Sequence, residues 1–138
     1  MMKLNYLKGL FNLLILLSLA SCNKLKPNTF ILNGTIKGNY SGFIYLNYDS
    51  KEESCLVSNN KFRFKGTILS TTSARLGTKR RTSAMEKDFY LEESEIIINI
   101  EKKKKKIRET ELDWIIINST KGSKIADLQN EFESYKSK

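Results

Sequence analysis

Lys61-Phe62-Arg63-Phe64-Lys65 alternates charge and aromatic ring residue by residue, and an extended strand can bury one set while the other stays wet. Phe62, Phe64 and Ile68 are therefore expected inward, with Arg63, Lys65 and Thr67 toward water. Asn59-Asn60 stands just ahead, and asparagine tolerates the positive φ that a type I′ turn demands at both central positions. Ser54–Ser58 and Lys61–Ile68 are predicted to form a hairpin around it. Residues 29–37 repeat the alternation, with Phe30, Leu32 and Ile36 on one side and Asn33, Thr35 and Lys37 on the other. Across the turn residues of Gly38–Gly42, Phe43–Tyr48 is a second strand, predicted to pair antiparallel with the first. Thr72–Thr78, Phe89–Glu92, Glu95–Glu101 and Trp114–Asn118 are further strands. The unbroken run Ile96-Ile97-Ile98 predicts a segment covered on both sides.

After Ser123 the period changes. Ile125, Leu128, Phe132 and Tyr135 fall on one helical face, Ser123 suits the N-cap, and the apolar stripe is expected to dock on a sheet. The fold expected is all-β, a small antiparallel sandwich or partly open barrel of about seven or eight strands with one C-terminal helix.

The 138 residues include no histidine, which removes the usual general base and the commonest metal ligand. No glycine-rich phosphate loop and no metal-ligand spacing occurs, so neither a cofactor nor a metal is expected. The acidic neighbours Glu52-Glu53 and Glu92-Glu93 point to opposite faces if on strands, a poor arrangement for shared acid–base chemistry, and are expected to be polar surface. Cys55 has no partner for an internal disulfide once Cys22 is otherwise used, and is expected to be a small buried strand residue.

The net charge of +9 is concentrated in Lys79, Arg80 and Arg81 and in Lys102, Lys103, Lys104, Lys105 and Lys106. Mutual repulsion predicts a solvated hairpin loop or frayed strand end for the five lysines, and Glu109–Asp113 is read as loop. Together the two clusters are a candidate contact surface for anionic lipid or acidic glycan. Nucleic acid is not an expected partner, since Tyr40, Tyr45, Tyr48 and Tyr90 have the spacing of sheet packing.

At the N-terminus, Lys3 and Lys8 precede the apolar run Gly9–Leu19, the layout of a secretory signal too short to span a bilayer comfortably. Leu19-Ala20-Ser21-Cys22 resembles the bacterial lipobox. That resemblance implies cleavage before Cys22, a diacylglyceryl thioether on its sulfur and acylation of its new amine. The expected organisation is a signal over residues 1–21, a lipidated tether over 22–28 and one β-rich domain over 29–138; losing Lys3 and Lys8 leaves the mature chain at +7. Asn23, in place of the aspartate linked to inner-membrane retention, implies the outer membrane. The absence of an acidic stretch after Cys22 implies its periplasmic face.

Phe30–Gly38, Asn60–Gly66 and Phe89–Glu92 leading to Ser119–Lys124 together resemble the β-rich domain of unknown function that precedes a thioredoxin-like domain in many bacterial envelope lipoproteins. The resemblance covers most of residues 29–135. Here the sequence ends at Lys138 without a Cys-x-x-Cys, so it carries over no catalytic residue. The expectation is a non-enzymatic, membrane-anchored binding or positioning module, with the membrane and an envelope protein as partners. Two alternatives stand beside it: a redox accessory using Cys55 with a separate thioredoxin-like partner, and an accessory of envelope glycan or outer-membrane protein assembly.

Overall fold

The computed structural model describes residues 25–81 and 84–136; Cys22 and the signal segment 1–21 lie outside them. Among these described residues eight strands and one helix follow in order: β1 (Thr29–Lys37), β2 (Phe43–Tyr48), β3 (Lys51–Leu56), β4 (Lys61–Thr67), β5 (Thr72–Gly77), β6 (Phe89–Leu91), β7 (Glu95–Ile107), β8 (Thr110–Lys121) and α1 (Lys124–Lys136). They make two four-stranded sheets, β4-β1-β7-β8 and β3-β2-β5-β6. The expected all-β sandwich with a C-terminal helix is what forms, as an open sandwich. It is not wholly antiparallel, because β1 and β7 run parallel, Leu32 opposite Ile96 and Ile36 opposite Ile100.

The inward residues of both sheets form one core. Phe30, Leu32, Ile96, Ile98 and Ile100 from the first sheet meet Ile44, Leu46, Leu76 and Leu91 from the second, and Phe30 stands edge-on to Tyr48 with ring centroids 5.2 Å apart. Phe62, Phe64 and Ile68 are buried and Arg63, Lys65 and Thr67 exposed, as the alternation required.

Two predicted hairpins are corrected. Asn59 and Asn60 do take positive φ, 50° and 59°, and Ser58 and Lys61 exchange backbone hydrogen bonds at 3.0 and 2.9 Å. Beyond that bridge the chain splits, β3 pairing with β2 and β4 with β1. Likewise β1 and β2 lie in different sheets, so Gly38–Gly42 crosses between layers rather than closing a hairpin. The turn that does close one is Asp49-Ser50, at φ 45° and 58°, which joins β2 to β3.

Three other expectations change. Ile97 is 45% exposed between buried Ile96 and Ile98, because only one face of the first sheet is covered. The five lysines are neither hairpin loop nor frayed strand end but paired strand: β7 and β8 continue past the end of β1 as a two-stranded arm in which Lys102 faces Ile115 and Lys106 faces Glu111. Thr110–Asp113 is thus strand as well. The helix forms with Ser123 at its cap, yet Leu128, Phe132 and Tyr135 remain 64%, 59% and 68% exposed. Its main contacts are with β6 and β8, and Leu128, Phe132 and Tyr135 of the apolar stripe do not dock on a sheet. No helix among the described residues is long and apolar enough to cross a membrane.

Candidate functional site

Strand register, not sequence proximity, decides which basic residues share a surface. Lys61, Arg63 and Lys65 point outward from β4, Lys37 from β1, Lys103 and Lys105 from β7 and Lys121 from β8, all exposed on the outer face of the first sheet. Against these seven stand two acidic residues on the same strands' outer face, Glu95 and Glu101, a net of +5. Glu101 lies 4.0 Å from Lys37 and 3.7 Å from Lys103, while Glu95 accepts the Asn33 amide at 2.7 Å. Between the basic flanks, Thr35 bonds to Asn99 and Asn99 donates to Ser119 at 2.7 Å, an uncharged polar row.

The outer face of the second sheet is different. Its strands carry Phe43, Tyr45 and Leu56 with one base, Arg75, and one acid, Glu52. Arg75 lies 3.0 Å from Asp88, and Glu52 receives Arg80 Nε at 3.3 Å and the Arg81 backbone N–H at 2.6 Å.

The two predicted basic clusters are thereby divided. Arg80 and Arg81 bind Glu52 beside the Asp49-Ser50 turn, and the lysine run splits by parity, with Lys103 and Lys105 outward and Lys102, Lys104 and Lys106 on the other side of the arm. There Asp113 lies 2.8 Å from Lys104 and 3.7 Å from Lys102 and accepts the Thr78 hydroxyl at 3.0 Å. The Lys104 ammonium, aided by Thr78 and against partial burial, holds the Asp113 carboxyl below its usual pKa, and Asp113 in turn raises that of Lys104. Lys102 also sits 5.2 Å from the Tyr40 ring. Hydrogen bonds from Ile115 N to Ala84 O and from Glu86 N to Ile115 O secure the arm's other edge. Asp113→Asn is expected to lower stability by about 1 to 2 kcal/mol in urea denaturation, because charge-assisted hydrogen bonds are the costlier ones to lose.

Glu92, expected to be plain polar surface, is instead the seat of the helix. Its carboxylate accepts the Ser123 hydroxyl, the Ile125 N–H at 3.0 Å and the Lys124 N–H at 3.2 Å, while Ser123 Oγ accepts the Ala126 N–H at 3.1 Å. Partial burial alone would raise its pKa, but these hydrogen bonds and the Lys124 charge outweigh it and hold the carboxyl below its ordinary value. Glu53 faces inward and accepts the Tyr48 hydroxyl at 2.5 Å, so the Glu52-Glu53 pair does diverge.

Cys55 corrects a further expectation. On edge strand β3 it is half-buried against the core rather than enclosed, beside Leu56 and Phe62, and it is a free thiol. Among the described residues no group of three His, Cys, Asp or Glu side chains could hold a metal ion.

Sequence reading missed Lys37, Lys61, Arg63, Lys65 and Lys121 as parts of one surface. The alternation in β4 announced its outward charges, but only the β4-β1-β7-β8 order aligns them with the lysines of β7. A model of the family described as a domain of unknown function (DUF4369) matches residues 30–129, and the chain belongs to that family. The match begins in β1 and ends within α1, enclosing both sheets. No curated protein and no solved structure matches the chain.

Proposed function

We propose that this chain is a lipid-anchored, non-enzymatic binding or positioning module at the periplasmic face of the outer membrane. The observation that carries the reading is the position of Cys22, behind Leu19-Ala20-Ser21 and four residues before a turn of the folded domain. In that turn Thr29 N donates to Lys26 O at 3.2 Å and Ile68 N to Asn28 O at 2.9 Å, so the expected tether over 22–28 is folded from Lys26 onward. The Cys22–Lys26 stretch spans at most about 14 Å when fully extended. Three acyl chains on Cys22 would give stable anchoring where a single chain gives only marginal binding.

Metabolic labelling with palmitate, followed by fractionation of cells, tests this. The wild-type chain is expected in the membrane fraction carrying label, and Cys22→Ala is expected to lose the label. A labelled, membrane-bound Cys22→Ala protein would defeat the reading.

A second reading, a single-thiol redox accessory of a thioredoxin-like protein, is favoured by one observation: Cys55 is only half-buried. It requires the native thiol to form a mixed disulfide with such a partner, and a native protein whose Cys55 is unreactive toward thiol reagents rules it out.

A further inference from the structure

We propose that the outer face of the first sheet is a docking surface for an anionic phospholipid bilayer, and that the domain lies with this face toward the membrane. The charge there is spread over four strands, which matches a laterally extended array of headgroups better than one bound ligand. Lys61, Arg63 and Lys65 line one border and Lys103 and Lys105 the arm at the far end. Beside those arm lysines the same face carries Trp114 and Ile107, the latter 41% exposed, with Lys105 Nζ 4.0 Å from the Trp114 ring centroid. Basic and amphipathic aromatic side chains side by side suit the headgroup region. The second sheet's outer face offers no comparable excess of charge.

The place where the folded domain begins agrees with this. The Lys26–Asn28 turn is bonded to Ile68, next to the β1 and β4 ends of the same sheet, so a leash from Cys22 would enter at that sheet's border. The proposal rests on the lipid-anchored reading for that leash; the charge pattern stands without it.

The test uses the full chain carrying Cys22→Ala, so that acylation plays no part. Cosedimentation is measured with vesicles of phosphatidylcholine alone and of phosphatidylcholine mixed with phosphatidylglycerol, and because every variant carries the same N-terminus, with its apolar run and Lys3 and Lys8, the differences between variants read the folded domain. Adding Lys61→Gln, Arg63→Gln and Lys65→Gln is expected to weaken the phosphatidylglycerol-dependent binding about a hundredfold. Removing the same charge elsewhere, with Lys51→Gln, Lys79→Gln and Lys87→Gln, is expected to weaken it less than about threefold. A third variant, Lys103→Gln with Lys105→Gln, reads the opposite end of the face and is expected to weaken binding by about tenfold or more. Equal losses in the two triple variants, absence of any phosphatidylglycerol dependence, or binding to a soluble acidic polysaccharide without binding to vesicles would overturn the proposal. Failure of palmitate labelling on Cys22 would defeat the anchor and leave this measurement intact.

Discussion

Gly122→Ala is expected to destabilise the domain by about 3 kcal/mol, seen as a lower urea midpoint with an unchanged slope. Gly122 joins β8 to the cap of α1 at φ +80°, a region costly for a residue with a side chain, and an added Cβ would fall 2.2 Å from the Glu95 carbonyl oxygen. The obstacle is backbone, fixed in place because Glu95 is paired with Ile31 in the register of β1 and β7. Relief requires moving the start of β7 or the β8–α1 junction. A loss below about 1 kcal/mol would show that this junction adjusts freely and that the close approach is not needed.

Glu92→Ala is expected to release the helix, with loss of helical circular dichroism, a stability loss of about 2 kcal/mol and a retained β signal. The carboxylate receives the helix's first donors, and no side chain of α1 is buried to hold it otherwise. A helix of 13 residues is marginal in water without such support. Glu92→Gln keeps an acceptor and should lose less. Because the folded pKa of Glu92 lies below its ordinary 4.5, its contribution is complete above that value and fades as the pH falls through the folded pKa. Asp113 acts in the same direction from 3.8 downward. Stability is therefore expected to drop on acidification below about pH 4.5, and less steeply in Glu92→Gln. An acid profile identical in wild type and variant would show that Glu92 does not carry this linkage.

The strands themselves were legible because burial alternates residue by residue: Phe62 and Phe64 inward, Arg63 and Lys65 outward. Their pairing was not. Asn59-Asn60 and Gly38–Gly42 have turn chemistry in either case, and whether the flanking strands stay together or part into two layers depends on contacts far along the chain, such as Leu32 against Ile96. The run Ile96-Ile97-Ile98 misled because a β-branched side chain is acceptable on an open strand face, where Ile97 has Asn33 and Lys121 as strand neighbours. The lysine run misled for a related reason. Repulsion between adjacent lysines is reduced when a strand sends them alternately to two faces and Asp113 approaches two of them.

Two of the seven basic residues of the candidate surface, Lys103 and Lys105, stood out before pairing was known, since they belong to a conspicuous cluster. Lys61, Arg63 and Lys65 stand together in the alternation of β4 while Lys37 and Lys121 stand singly, and the five join the arm lysines on one surface only through sheet order. The helix stripe shows the converse: Leu128, Phe132 and Tyr135 have helical spacing without burial, because periodicity fixes a face and not what covers it.

Attachment of the domain to a membrane through Cys22 can be read from the mass of the N-terminal peptide of the protein extracted from membranes. The expected result is a peptide beginning at Cys22, with a diacylglyceryl group on its sulfur and a fatty acyl group on its amine. A peptide beginning upstream of Cys22, or a Cys22 with an unmodified thiol, would contradict it.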